Sequence, residues 1–154
     1  MWNTSLLLLL TILAGGCVHA PQSLIALSDS STDDLSLVAR IAEDRERPIV
    51  LRGLDGVPLQ SLRVPNALGE YAYVVNSGRH VLWLKNMPYA HPLMPQRIRC
   101  YKMQADLEKG MRYLLREEAD TKRALLLKKE TGETVSIGEL VDEPLVFVRE
   151  CKWQ

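Results

Sequence analysis

What limits this chain most is the spacing of its apolar residues, which alternate over strand-length runs and nowhere hold a long helical repeat. The clearest run is Tyr71 to Lys85, where YAYVV and HVLWL flank Asn76-Ser77-Gly78-Arg79. Glycine tolerates the positive φ of a tight turn, so the segment reads as a β-hairpin with Val74 opposite Val81 and Ala72 opposite Trp83. The other face then carries Tyr71, Tyr73, Val75, His80, Leu82 and Leu84. A small side chain facing a large one fills a core layer, which makes Trp83 a packing residue in this reading.

The same grammar extends in both directions. Leu35 to Ala42 fits a strand, and Arg47 to Leu51 (RPIVL) is a second whose exit turn is Leu54-Asp55-Gly56. Met87 to Pro95 (MPYAHPLMP) is too rich in proline for regular structure and reads as a loop, with Tyr89 and Met94 as its apolar side chains. Arg97 to Leu107 is a long strand, Lys109-Gly110 turns it, and Met111 to Arg116 returns. Arg123 to Lys129 follows, then a Thr131-Gly132 turn, and PLVFVRECKW closes the chain as a final strand. Ile137 to Val141 has the spacing of a single helical turn. About seven or eight short strands with Gly, Pro and Asp turns predict a mostly β domain over residues 35–154, a small antiparallel sandwich.

The N-terminus obeys a different rule. Leu6 to Ala14 (LLLLLTILA) is apolar but too short to cross a bilayer, which takes about 17 to 25 helical residues. Followed by Gly15, Gly16 and Cys17, it has the form of an export signal covering residues 1–16. Leu13-Ala14-Gly15-Gly16-Cys17 resembles the lipobox of bacterial lipoproteins, although Ala14 stands where that family usually has leucine and no Lys or Arg precedes the apolar run. The resemblance implies a lipid on Cys17, anchorage to a membrane, and a tether over 17–34 that is rich in Ser and Asp. Val18 is not the Asp that often retains such proteins at the inner membrane, so the implied address is the periplasmic face of the outer membrane. Val18-His19-Ala20 offers an alternative cut before Pro21 that would discard Cys17; export follows from either.

Export also bears on the remaining cysteines, Cys100 and Cys151, because an oxidising compartment allows them to pair. Strand alternation puts Cys100 with Ile98 on a core face and Cys151 with Leu145 and Phe147. The loop they would close is worth about 4 kcal/mol by the chain-entropy model. Two separate buried thiols are the alternative.

Between the Leu54-Asp55-Gly56 turn and Gly110-Met111-Arg112-Tyr113, the order "-DG-", Gly78-Arg79-His80 and "G-x-x-Y" resembles small Ig-like or PEGA-like envelope lipoproteins. That likeness implies an Ig-like β-sandwich and no particular activity.

The chemistry-bearing residues are sparse. His19, His80 and His91 show no zinc spacing, and no nucleophile elbow, phosphate loop or dinucleotide fingerprint occurs, so neither a metal nor another cofactor is expected. Lys plus Arg and Asp plus Glu both total 19, which argues against nucleic acid as a partner. The most suggestive surface is Arg97, Arg99 and Tyr101, which alternation places together opposite Ile98 and Cys100. Guanidiniums beside an aromatic ring suit a phosphate or sugar of an envelope glycan. The expectation is a non-enzymatic membrane-anchored module that binds an envelope protein or glycan. The alternative is a cell-wall or sugar-directed hydrolase that gathers His80 or His91 with carboxylates in a pocket; a protruding 87–95 loop would instead mark an inhibitor or receptor.

Overall fold

The computed structural model describes residues 23–27, 29–59, 71–87, 96–118, 120–145 and 150–153. The strands are β1 (Ser23–Ala26), β2 (Val38–Glu43), β3 (Ile49–Leu54), β4 (Val57–Pro58), β5 (Tyr71–Asn76), β6 (Gly78–Asn86), β7 (Cys100–Leu107), β8 (Arg112–Glu118), β9 (Arg123–Lys128) and β10 (Thr134–Asp142). They form one curled ten-stranded sheet in the order β1-β5-β2-β8-β9-β10-β7-β6-β3-β4. The β1–β5 and β2–β8 pairs are parallel and the rest antiparallel, so the expected mostly β architecture holds without being purely antiparallel. The signal segment and Cys17 lie outside the described residues.

Turn chemistry accounts for the tightest connection. Asp55 and Gly56 both take positive φ, 50° and 83°, as a two-residue hairpin between β3 and β4 requires. The hairpin expected at Ser77-Gly78 is different. Only Ser77 separates β5 from β6, and one residue is too few to reverse a strand onto itself. β5 pairs instead with β1 and β2, while β6 pairs with β3 and β7, so Val74 lies opposite Arg40 and Trp83 opposite Lys102 and Gly53. The chain thus passes from one part of the curled sheet to another at this point.

Both parts contribute to one core. Ala39, Ile41, Tyr73, Val75, Tyr113, Leu115 and Leu126 meet Leu51, Leu82, Leu84, Tyr101, Met103 and Leu107 in a single buried cluster. The strand that joins the two parts is β10, whose Ser136, Ile137 and Gly138 pair with β9 and whose Glu139 and Leu140 pair with β7. Gly138 sits at this change of partner. A Cβ there would lie 2.9 Å from Ala124 Cβ and 3.3 Å from Tyr101 Cβ, so the site admits no side chain without movement. The helical turn expected over Ile137 to Val141 is therefore strand, because the backbone there completes ladders on both sides. The final strand expected at 144–153 is not formed by its described residues apart from an isolated bridge between Leu145 and Arg97. β1 also falls where a tether was expected: Leu27 N–H donates to Val74 O at 2.9 Å, and the buried Ser30 hydroxyl lies within hydrogen-bonding distance of the Leu27 and Val74 carbonyls.

The phase of β7 is the opposite of that expected. Tyr101, Met103, Ala105 and Leu107 face the core, which places Cys100 and Lys102 on the outer surface of the sheet. Cys100 is nevertheless buried, because the segment 150–153 lies across it. A disulfide joins Cys100 to Cys151 with Cα atoms 5.8 Å apart, Lys152 N–H donates to Asp142 Oδ2 at 3.0 Å, and Trp153 stacks on Trp83 with ring centroids 5.6 Å apart and planes 4° apart. Gly53 leaves room for the Trp83 ring, since a Cβ there would come within 2.4 Å of it.

Gly138→Val is expected to lower stability by about 1–3 kcal/mol through overpacking, whereas Ile137→Thr on the exposed side stays within about 0.5 kcal/mol, both read by urea unfolding. Cys151→Ser, which opens a loop of 51 residues, is expected to cost about 2–4 kcal/mol and to weaken the near-ultraviolet dichroism of the stacked tryptophans.

Candidate functional site

One end of the core closes in polar side chains rather than apolar ones. Tyr101 begins there with its ring fully buried, and its hydroxyl reaches Glu117 Oε1 at 3.0 Å and Lys122 O at 3.1 Å. A buried phenol needs such a partner, and β8 supplies it by bringing Glu117 to the same end of the sheet. Asn86, at the end of β6, then locks the start of β7: its N–H donates to Arg99 O at 3.0 Å, and its Oδ1 accepts from Arg99 N–H at 2.7 Å. That places the Arg99 guanidinium against Glu117, with Nε 2.7 Å and Nη2 2.6 Å from Oε1, while Asn86 Nδ2 donates to the same oxygen at 3.3 Å.

Above this cluster opens a cleft of about 510 Å³, within the size range of small-molecule sites. Arg99, Glu117 and Asn86 form one wall. Gln96 and Arg97 continue it, and Ile98 N–H donates to Pro144 O at 2.9 Å, pinning this segment to the chain that leaves β10. Arg97 Nη1 donates to the main-chain carbonyl of Glu143 at 3.2 Å. Lys122 completes the rim from the β8–β9 turn, held at a φ of 52° that non-glycine residues rarely adopt.

The electrostatics follow from these contacts. Burial alone would lower the Arg99 pKa, but the Glu117 carboxylate outweighs it and holds the guanidinium above its ordinary value. Burial, reinforced by the Glu117 charge, pushes the Tyr101 phenol well up, so it stays protonated and donates. Arg97 and Arg99 are thus brought together at the cleft as expected from their spacing. Tyr101 is not on the exposed surface with them; its ring belongs to the core and only its hydroxyl approaches the site from below. Glu117, beside Glu118 in a pair that reads as solvated surface, is the organising residue that the sequence does not disclose.

Other candidates lie elsewhere. His80 Nδ1 is 2.6 Å from Asp55 Oδ2 and its Nε2 is 2.9 Å from Asn76 O, so both ring nitrogens are engaged in tying the β3–β4 turn to the β5–β6 link. Burial alone would raise the Asp55 pKa, but the Val81 N–H and His80 hold the carboxyl below its usual range. His91 and most of the 87–95 loop fall outside the described residues, as does His19. Among the described residues no group of three or more His, Cys, Asp or Glu is placed to hold a metal ion.

A second polar cluster was not anticipated. Glu43, at the end of β2, accepts from the Tyr71 hydroxyl, from the Tyr73 hydroxyl at 3.4 Å and from Leu51 N–H at 3.2 Å, so it links β2 and β5 to β3. The two phenol rings meet edge to face with centroids 5.6 Å apart. Burial raises the Glu43 pKa above its ordinary value of 4.5 despite these donors and the nearby Arg52. No protein-family model, curated protein or solved structure matches the chain.

Folding makes Glu43 hold its proton more tightly than the unfolded chain does. The stability linked to it is therefore fully present below pH 4.5 and is lost as the pH rises through the elevated folded value. Urea midpoints measured across this range are expected to fall with rising pH in the wild type and to fall less in Glu43→Gln, which cannot ionise.

Proposed function

We propose that this chain is a non-enzymatic envelope lipoprotein whose β module binds another envelope protein or an envelope glycan at the Arg97–Arg99 cleft. The observation that carries the reading is the cleft itself, where a buried carboxylate fixes one guanidinium beside a second and beside Lys122. In this reading residues 1–16 are an export signal, Cys17 carries the lipid, and the periplasmic face of the outer membrane is the address. The basis is the Leu13-Ala14-Gly15-Gly16-Cys17 pattern. The formal charge balance, 19 against 19, disfavours nucleic acid as the ligand.

We assign the module to the Ig-like or PEGA-like sandwiches. Support comes from a curled sheet whose parts share one core, and from β10, which turns a corner by changing partners. The parallel pairs β1–β5 and β2–β8 are additions to that plan. The hydrolase alternative rests on the Asp55–His80 pair, which lies outside the cleft with both imidazole nitrogens already bonded, a poor arrangement for moving a proton to or from a substrate.

Cells fed radiolabelled palmitate are expected to label the wild-type chain and not Cys17→Ser, with the label sedimenting in the outer-membrane fraction. Labelling that survives Cys17→Ser removes the anchor from this reading. Purified peptidoglycan or lipopolysaccharide is expected to retain the wild-type chain and to lose it on Arg97→Ala with Arg99→Ala; equal retention removes the cleft.

A further inference from the structure

We infer that the cleft accepts a phosphorylated saccharide, with Arg97, Arg99 and Lys122 facing the phosphate and Glu117 acting as the positioning residue for Arg99. This rests on the reading of the cleft as a binding site and specifies its ligand.

The charge count favours an anion. Three cations, Arg97, Arg99 and Lys122, stand against the two carboxylates of Glu117 and Glu143, which leaves one formal positive charge. The Glu117 charge is also largely consumed inside the wall. Its Oε1 accepts from Arg99 Nε and Nη2 and lies within reach of the Tyr101 hydroxyl and the Asn86 amide. Arg97 binds the main-chain carbonyl of Glu143 rather than a carboxylate, so its charge is not neutralised by that contact. Arg99 spends one edge of its guanidinium on Glu117 and keeps Nη1 on the opposite edge, a fixed donor that need not be ordered when a ligand arrives.

Geometry narrows the anion to a phosphoryl group. Arg97 and Arg99 belong to the segment before β7 and Lys122 to the turn after β8, so the cations approach from separate walls. A phosphate monoester presents three terminal oxygens in a tetrahedron and can meet donors from separate directions, whereas a carboxylate offers two in one plane. The volume points past a bare ion. About 510 Å³ is far more than an inorganic phosphate fills, and the Gln96 amide offers a donor and an acceptor suited to sugar hydroxyls.

Glu117 gives the arrangement an uncommon sensitivity. Arg99→Ala removes a cation and also releases the Glu117 charge toward the ligand, so it weakens binding more than Arg97→Ala. Glu117→Gln added to Arg99→Ala removes that repulsion and restores part of the loss. A role for Arg99 as a mere surface cation predicts no such rescue.

The test is calorimetric titration of the purified full-length chain at low salt with glucose 1-phosphate, glucose and inorganic phosphate, each variant first checked for its β-type circular dichroism. Glucose 1-phosphate is expected to bind, inorganic phosphate to bind about tenfold or more weakly, and glucose not to bind, since losing one charge-assisted contact is worth roughly a factor of ten. Arg97→Ala and Lys122→Ala each weaken glucose 1-phosphate about tenfold by the same arithmetic, Arg99→Ala weakens it further, and Glu117→Gln recovers part of that loss. If Arg99→Ala fails to fold, the exposed Arg97 and Lys122 substitutions decide the matter. Glucose binding as well as its phosphate, inorganic phosphate binding as tightly as the sugar phosphate, no binding of glucose 1-phosphate, or unchanged affinity in Arg97→Ala and Lys122→Ala overturns the inference. Should that happen while envelope glycans still retain the wild-type chain through Arg97 and Arg99, only the ligand class falls and the binding module stands.

Discussion

Everything described here depends on β10 having partners on both of its sides. Its first half continues the ladder from β9 and its second half begins the ladder with β7, so one strand converts two sets of strands into a single curled sheet around one core. The change of partner requires the backbones to approach closely, and Gly138 meets that requirement because Ala124 and Tyr101 already occupy the space of a side chain. Without this junction Tyr101 and Met103 would not face Ala124 and Leu126 in the same core, and the polar cluster at the end of that core would have no floor.

The cleft is a consequence of how the core ends. A buried tyrosine hydroxyl must be satisfied, and once Glu117 is drawn in to satisfy it, that carboxylate must itself be balanced. Arg99 balances the charge, and Asn86 ties Arg99 to the end of β6. Each step answers a desolvation cost created by the one before it. The outcome is a guanidinium held rigidly at a surface opening, which is the preorganisation that ligand recognition benefits from.

How much of this could be read from the chain depends on the range of the interaction involved. Turns governed by local chemistry were legible, as at Asp55-Gly56, Lys109-Gly110 and Thr131-Gly132, and so were the strands that follow them. Pairing was not. Alternation in Tyr71 to Lys85 identifies two strands but carries no information on which neighbours they take, and Ser77 alone between them was the neglected sign against a hairpin. β10 was missed because Ile137, Leu140 and Val141 stay exposed while its buried position is a glycine, which leaves no apolar stripe. The phase of β7 was misjudged because Arg99 and Tyr101 look like one exposed face, whereas the core ends beneath Arg99 and keeps the Tyr101 ring. Arg97 and Arg99 were nonetheless found, since two guanidiniums at alternate positions end up beside one another whichever way the strand is turned.

The link through Ser77 has a consequence for how the molecule acquires this shape. Strands adjacent in sequence, β5 and β6, occupy the second and eighth places of the sheet, and β2 finds its neighbours in β5 and β8, well downstream of it. Such a topology cannot be zipped up one hairpin at a time, because loop-closure entropy must be overcome before the long-range ladders yield anything. The local meander from β8 through β9 to β10 and the β6–β7 pair can form early, while β2, β5 and β1 wait for the rest. A chain of this kind is slow to fold for its size and spends its time with strand edges open. In a crowded compartment that is an argument for a chaperone at its side until the last ladder closes.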